Sequence, residues 1–362
     1  MKTKSKPFSR SAFTRRSFLA GAGAAAAGLS FGPRLARAAE EPKLNFDNWD
    51  TYSGETTLAD FAKASGIEVN MDLFADNDEL FAKLREGNPG YDVIVPTNDY
   101  AERMIAAGML EKLDHARLPN MVNLDPVFTD AEFDPGRQYT MPYMWGTIGV
   151  GYRKSKVDEV PDSWKWLYDS DKYSGRISML GDGGTLVQMG LKFLGVSLNS
   201  TDPVLIKQVE DLLIAQKKHI KVYAEDNGQD LLASGEVDIC MEWNGDILQV
   251  MAEDDDIGFV LPKEGGLLWQ DTLAIPKGAP HPENAHAFIN YLHDAEAAAL
   301  IAEFIQYATS NAAARKLVSV EYNENPAIFP PPESVKVCET STYKGEDYNR
   351  LIDETWTRIQ AA

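Results

Sequence analysis

The sequence predicts an α/β protein of two lobes connected by hinge strands, and three observations carry that prediction. Strand-like alternation and helical periodicity take turns along the chain from residue 44 onwards. They do so in two blocks, with extended apolar runs between and after them. No Gly/Ser/Pro-rich linker separates the blocks, and 362 residues suit two domains of roughly 100–200 residues each.

In the first block, residues 44–49 read as a short strand and residues 56–65 as a helix closed by Gly66. Glycine takes the left-handed conformation that ends a helix without a steric cost. Residues 67–73 alternate like a strand. Residues 78–86 form a helix with Leu80, Phe81 and Leu84 on one face, ended by Gly87. Asp92-Val93-Ile94-Val95 is a compact apolar run of the kind buried in parallel sheets, stopped by Pro96, and a helix follows over 98–107. The second block repeats the scheme. Residues 176–180 are a strand, Gly181-Asp182-Gly183-Gly184 a turn, and residues 185–194 a helix ended by Gly195. Residues 237–243 are another strand, after which Asn244-Gly245-Asp246 opens a helix. Residues 141–152 join the blocks, and 269–275 form a later extended run.

Composition is that of an ordinary globular chain, 44% hydrophobic and 25% charged. The formal net charge of −20 hides a segregation. Eight basic residues and no acid fall in residues 1–38, leaving 27 basic against 55 acidic side chains, a net of −28. So acidic a body repels nucleic acid and steers cations towards itself, besides keeping the protein in solution. The basic leader is an address. Arg15-Arg16-Ser17-Phe18-Leu19 has the pattern of a twin-arginine signal, an Ala/Gly-rich stretch follows, and Ala36-Arg37-Ala38 is an A-x-A cleavage site. That stretch is shorter than the roughly 20 apolar residues a membrane span needs. Cys240 and Cys338 have the spacing of neither a metal cluster nor a disulfide framework; pairing and burial as thiols both remain open.

In open α/β sheets ligands sit beyond the carboxyl ends of strands. That rule selects Trp49 to Tyr52, Thr97 to Asp99, Asp182 to Thr185 and Trp243 to Asp246. All four turns carry carboxylates, and two carry tryptophan. A small polycation needs both: carboxylates to pair with its nitrogens, and aromatic faces to cover its methylenes, each cation–π contact contributing about 0.5–2 kcal/mol. Asp99, Asp182 and Asp246 also stand at helix starts, where capping is the competing role. Trp243 shares a strand face with Ile239 and Met241 and is equally a core candidate. Trp269 and Asp271 fall on one face of a strand with Leu273 and Ile275. A carboxylate in that apolar row calls for a cationic partner.

Other chemistries are poorly represented. His281-Pro282-Glu283-Asn284-Ala285-His286 only approximates a zinc motif and opens a helix with proline at its start. The five histidines form no ligand cluster, and no nucleophile elbow occurs. The glycine turn at 181–184 lacks the Lys and Ser/Thr of a phosphate loop, and Asp182 would repel phosphate.

Seven segments in order then carry a resemblance: Phe46-Asp47-Asn48-Trp49, Tyr91-Asp92-Val93-Ile94-Val95-Pro96, Met141-Pro142-Tyr143-Met144-Trp145-Gly146, Trp243-Asn244-Gly245-Asp246, Pro262-Lys263-Glu264-Gly265-Gly266, Trp269-Gln270-Asp271-Thr272-Leu273-Ala274-Ile275-Pro276 and Ala312-Ala313-Ala314-Arg315-Lys316-Leu317. In them the mature chain resembles the periplasmic polyamine-binding proteins of ABC importers, which capture spermidine and putrescine. The resemblance implies a type II, clamp-like periplasmic binding protein. Lobe 1 would comprise residues 41–146 and 270–316, and lobe 2 residues 147–269 and 317–362. It further implies a monomer that is not an enzyme, holds no cofactor or metal, and docks on a membrane permease.

Position by position, the resemblance makes Trp49, Tyr52, Trp269 and Tyr307 aromatic walls of the ligand cleft. Thr97 matches a serine that helps hold an amine. Asp182 matches a carboxylate of the spermidine type and Asp246 one of the putrescine type, while Trp243 and Asp271 match residues that both types use. Four positions depart from the family. Thr185 replaces a glutamate, the acidic residue between Trp49 and Tyr52 stands one place early as Asp50, Asp99 replaces a wall aromatic, and Ser341 replaces a C-terminal glutamine. This hybrid carboxylate set leaves the choice among polyamines open. The alternatives are another organic cation in the same clamp, such as a guanidinium compound, and a secreted enzyme, for which no nucleophile–base set is present.

Overall fold

The computed structural model describes residues 40–225 and 227–362; the export signal read in residues 1–38 lies outside them. Strand β1 (Lys43–Asn48) pairs in parallel with β2 (Glu68–Leu73) on one side and β3 (Val93–Ile94) on the other. Helices α1 (Thr57–Ser65) and α2 (Asn77–Arg85) connect them, and α3 (Asn98–Ala106) follows β3. Gly66 ends α1 as expected, at φ 76° with its N–H on the Ala62 carbonyl. β3 is shorter than its apolar run: the Val95 carbonyl at one flank is taken by a side chain, while at the other the Asp92 N–H still donates to the Asn45 carbonyl of β1. The Asp92 carboxylate accepts from the N–H groups of Asn45 and His281, and the Val95 carbonyl accepts from the Trp49 indole.

The long strand β4 (Thr140–Arg153) comes next, then β5 (Ile177–Leu180), β6 (Ile220–Ala224), β7 (Ile239–Trp243), β8 (Ile257–Val260) and β9 (Leu267–Ala274). Two short strands, β10 (Ala308–Thr309) and β11 (Glu339–Thr340), complete the sheet. Its order is β2-β1-β3-β9-β4-β7-β5-β6, with β8 and β10 attached to β4 and β11 to β9. β4 serves two neighbourhoods. Its first half runs antiparallel to β9, from Thr140 opposite Ala274 to Thr147 opposite Leu268. Its second half pairs with β7 on one edge and β8 on the other. The register slips between Pro142 and Trp145, where β10 joins through Met144 and Trp145. The segment between β8 and β9 turns at Gly265, whose φ is 78° and where a Cβ would sit 1.9 Å from the Val337 carbonyl oxygen.

Helices α4 (Gly183–Phe193), α5 (Pro203–Gln216) and α6 (Asn244–Met251) accompany the second set of strands, and α7 (Pro282–Leu292) and α8 (Ala295–Ile305) return to the first. α4 begins two residues earlier than its sequence signal. Asp182 caps it, accepting from the Gly184 N–H at 2.8 Å, so the glycine turn is the first turn of the helix. The last helix, α9 (Glu346–Ala361), packs on α4 and α5 through Ile352, Thr355 and Ile359. Lys217 holds its end, donating to the carbonyls of Ile359, Gln360 and Ala362.

The core runs beneath both sets of strands. Phe288 of α7 meets Phe46 and Phe61 edge-on, with ring centroids 5.1 and 5.0 Å away. Trp164, Leu167, Tyr168 and Leu186 fill the other end. Each such buried ring or branched side chain contributes about 1.5–3 kcal/mol relative to exposure. Both cysteines are free, buried thiols. Burial pushes the Cys240 thiol well above its ordinary range, which makes it inert. The histidines have structural partners: Asp92 for His281, the Pro282 carbonyl for His286, and the carbonyls of Ile289 and Pro142 for His293.

Candidate functional site

Strand ends converge on one cavity of about 330 Å³, and all twelve residues singled out in the sequence line it. From the end of β1 come Trp49, Asp50 and Tyr52. Trp49 is fixed by its indole bond to the Val95 carbonyl (2.9 Å) and by the Phe74 ring at 4.5 Å. Asp50 is exposed at the rim, where its carboxylate accepts from the Thr51 N–H.

Thr97 and Asp99 stand at the start of α3. The Thr97 hydroxyl donates to Asp271 Oδ1 at 2.7 Å and accepts from Asn77 Nδ2 at 2.9 Å, while Asn77 Oδ1 accepts from the Thr97 N–H. This two-way grip fixes one oxygen of Asp271, which is only 6% exposed on β9. Asp99 Oδ2 accepts from the Ser341 hydroxyl at 2.7 Å, and Ser341 accepts from Gln188 Nε2 at 2.8 Å. Asp99 thus does both: Oδ1 accepts from the Tyr100 N–H in the first turn of α3 at 3.0 Å, and Oδ2 ties the helix to the C-terminal segment, with Ser341 behind it.

Asp182 caps α4 and also lines the cavity. Burial pushes its carboxyl up to about 6, against the Thr185 hydroxyl that donates to it at 2.5 Å; Asp78 pushes in the same direction as burial. Trp243 is half-buried, packing on the core with one part and lining the cavity with the other. Asp246, in the first turn of α6, is 7% exposed.

The aromatic walls form an edge-to-face series. Trp243 meets Trp269 at 6.0 Å, Trp269 meets Tyr307 at 5.1 Å, and Tyr307 meets Tyr52 at 5.3 Å. Two glycines seat this series. A Cβ on Gly146 would lie 2.5 Å from the Trp269 ring, and one on Gly245 would lie 2.5 Å from the Tyr307 ring. Burial first, and the neighbouring Asp271 second, push the Tyr52 hydroxyl well above its ordinary range, so it stays a neutral phenol.

Further lining residues had no place in the sequence reading: Asp76, Asn77, Tyr100, Gln188, Tyr223, Glu225, Trp356 and Gln360 among them. Asp76 and Asn77 follow β2, and Glu225 follows β6. The strand-end rule, applied to those two strands as well, finds all three. With Asp76 and Glu225 the cavity presents seven carboxylates and eight aromatic rings; no Lys, Arg or His lines it among the described residues. A low-dielectric cleft so lined attracts a cation, stacks its hydrocarbon and rejects an anion. Among the described residues, no group of three or more His, Cys, Asp or Glu is arranged to hold a metal ion.

A family model described as bacterial extracellular solute-binding protein matches residues 56–330. The spermidine/putrescine-binding periplasmic protein of Escherichia coli is 36% identical over 339 residues, covering 93% of this chain and 97% of that protein. This chain is a bacterial extracellular solute-binding protein. A putrescine/cadaverine-binding protein of Pseudomonas aeruginosa is 32% identical to it, covering 92% of this chain and 97% of its own. The solved structure described as a putative spermidine/putrescine ABC transporter from Listeria monocytogenes superposes with a TM-score of 0.85 at 30% identity, over 88% of this chain and 99% of its own. A substrate-binding protein of Streptococcus pneumoniae, described as a spermidine/putrescine ABC transporter component, gives 0.75 at 29% identity, over 88% and 98%. The solute-binding protein therefore has the two-lobed type II periplasmic fold expected from its sequence. Among the described residues no helix is long and apolar enough to cross a membrane.

Proposed function

We propose that this protein is the substrate-binding component of an ABC importer and captures a polyamine, putrescine or spermidine, between its lobes. The observation that carries the proposal is the cleft lining, in which, among the described residues, seven carboxylates and eight aromatic rings meet no basic side chain. The descriptions of its relatives as spermidine/putrescine-binding and putrescine-binding proteins support the same reading. Asp271, oriented by Thr97, neutralises one amine end, and Asp182 or Asp246 neutralises another. Trp49, Tyr52, Trp243, Trp269 and Tyr307 cover the methylenes. Asp50, Asp99 and Thr185 shape the electrostatics of the rim and the far end.

In this proposal residues 41–146 and 270–316 move as one lobe, and 147–269 and 317–362 as the other. The crossing strands serve as hinges: β4 at its change of partners, and β9 where Trp269 and Gln270 lie opposite Gly146 and Trp145. The chain enters the periplasm by its twin-arginine signal, is cleaved near Ala38, acts as a monomer without cofactor or catalysis, and delivers its cargo to a membrane permease. Titration calorimetry with putrescine, spermidine and spermine tests the ligand class. Micromolar or tighter binding of at least one is expected; no heat from any of them refutes it. Replacing Arg15 and Arg16 by lysine should retain the protein in the cytoplasm, and unchanged export would rule out the twin-arginine route.

A further inference from the structure

Beyond Asp182 the cleft continues in two directions. One leads into an adjoining cavity of about 270 Å³ that shares Asp99, Asp182 and Trp356, among others, with the first. The protein's own cations line that space. The Arg103 guanidinium donates to both oxygens of Glu346 at 2.8 Å, and the Lys344 ammonium faces Asp99 and Glu102. Of the five aspartates lining that space, Asp78 and Asp99 already face these cations, which lowers their pull on a ligand ammonium there.

In the other direction, towards Tyr223 and Glu225, which line the main cavity alone, no Lys, Arg or His is met among the described residues; Trp356 borders both spaces. This direction passes Gly181 to Tyr223 and Trp356, whose rings meet edge-to-face at 5.1 Å and 85°, with the exposed carboxylate of Glu225 at the mouth. Trp356 has a fixed seat, since a Cβ on Gly183 would lie 2.7 Å from its Cβ and Cγ. The Tyr223 hydroxyl is buried and has no hydrogen-bond partner among the described residues. Two aromatic faces, a carboxylate at the mouth and Asp182 behind repeat the composition of the main cleft. The pieces come from three elements that only tertiary packing brings together.

We propose that Tyr223, Trp356 and Glu225 form an outer subsite for an additional ammonium group, so that amines with three or more charged nitrogens bind more tightly than diamines. The proposal rests on the reading of the cleft as a polyamine site. A chain anchored at Asp271 and passing Asp182 would bring its next nitrogen against the cavity-facing side of this ring pair, where cation–π attraction and the Glu225 charge both favour it.

Calorimetry with putrescine, spermidine and spermine on the full mature chain tests this. Glu225→Gln, an exposed substitution, should weaken spermidine and spermine about threefold and leave putrescine unchanged. Trp356→Leu, which keeps apolar cover over Gly183, should weaken the longer amines about tenfold and putrescine far less. Putrescine bound as tightly as spermidine by the wild type, or equal losses for all three amines in Glu225→Gln, would overturn the subsite alone. No binding of any amine by the wild type would overturn the polyamine reading beneath it as well.

Discussion

Asp182 should make ligand capture pH-dependent in a range where the ligand's own charge does not change. In the free protein its carboxyl titrates at about 6, raised chiefly by burial. An ammonium group beside it lowers that value, so binding expels the proton that Asp182 carries at acid pH. At pH 7.5 the carboxylate is about 97% ionised, and at pH 5 only about 9%. If the bound form stays ionised at pH 5, affinity falls about tenfold between those two values, with the slope steepening below pH 6. Aliphatic amines remain protonated throughout, so the change belongs to the protein. Calorimetry at pH 7.5, 6 and 5, in pairs of buffers with different ionisation enthalpies, reads both the affinity and the proton released. Asp182→Asn should bind more weakly at pH 7.5 and lose the slope. Affinity that is flat from pH 7.5 to 5, or rises towards 5, would refute the placement of Asp182 next to a bound cation. The second carboxyl near pH 6, Asp47, lies beside Lys83 and lines neither cavity, so it affects stability without mimicking this signal.

Asp271→Ala should weaken binding at least tenfold, about 1.4 kcal/mol, because it removes the buried charge that Thr97 orients; an unchanged affinity would exclude its role. Gly245→Ala places a methyl 2.5 Å from the Tyr307 ring, so the ring must shift. The variant should keep its circular dichroism and bind about three- to tenfold more weakly, and wild-type affinity would show that Tyr307 does not touch the ligand. Asp47→Asn should raise the melting temperature at pH 7.5 and not at pH 4. Its folded carboxyl, raised to about 6 by burial, favours the proton, so the stability it confers is lost as pH rises from its ordinary value through 6. A lower melting temperature at pH 7.5 would show that the Lys83 pair outweighs the burial.

What was legible in the sequence, and what was not, divides along a physical line. Trp49, Thr97, Asp182 and Trp243 lie within a few residues of their strand ends, and period-two alternation places Asp271 beside Trp269. Local pattern and one topological rule therefore suffice to bring them to a common edge. The early end of β3 was not legible, because it depends on the Val95 carbonyl accepting from the Trp49 indole, far back along the chain. The start of α4 at Gly183 was missed because glycine signals a turn unless the preceding aspartate caps. Trp356 had no local signal at all. On a 16-residue amphipathic helix near the C-terminus, a half-buried tryptophan reads as part of the packing stripe. Only the docking of that helix on α4 and α5, held by Lys217 at its end and Arg358 on Glu210, turns the ring towards Gly183 and the cleft. Gly183 serves there by leaving room for Trp356, not by a backbone conformation that only glycine adopts. An alanine there keeps the cap and displaces the ring, which is why main-cleft and outer-subsite effects can be separated at that position.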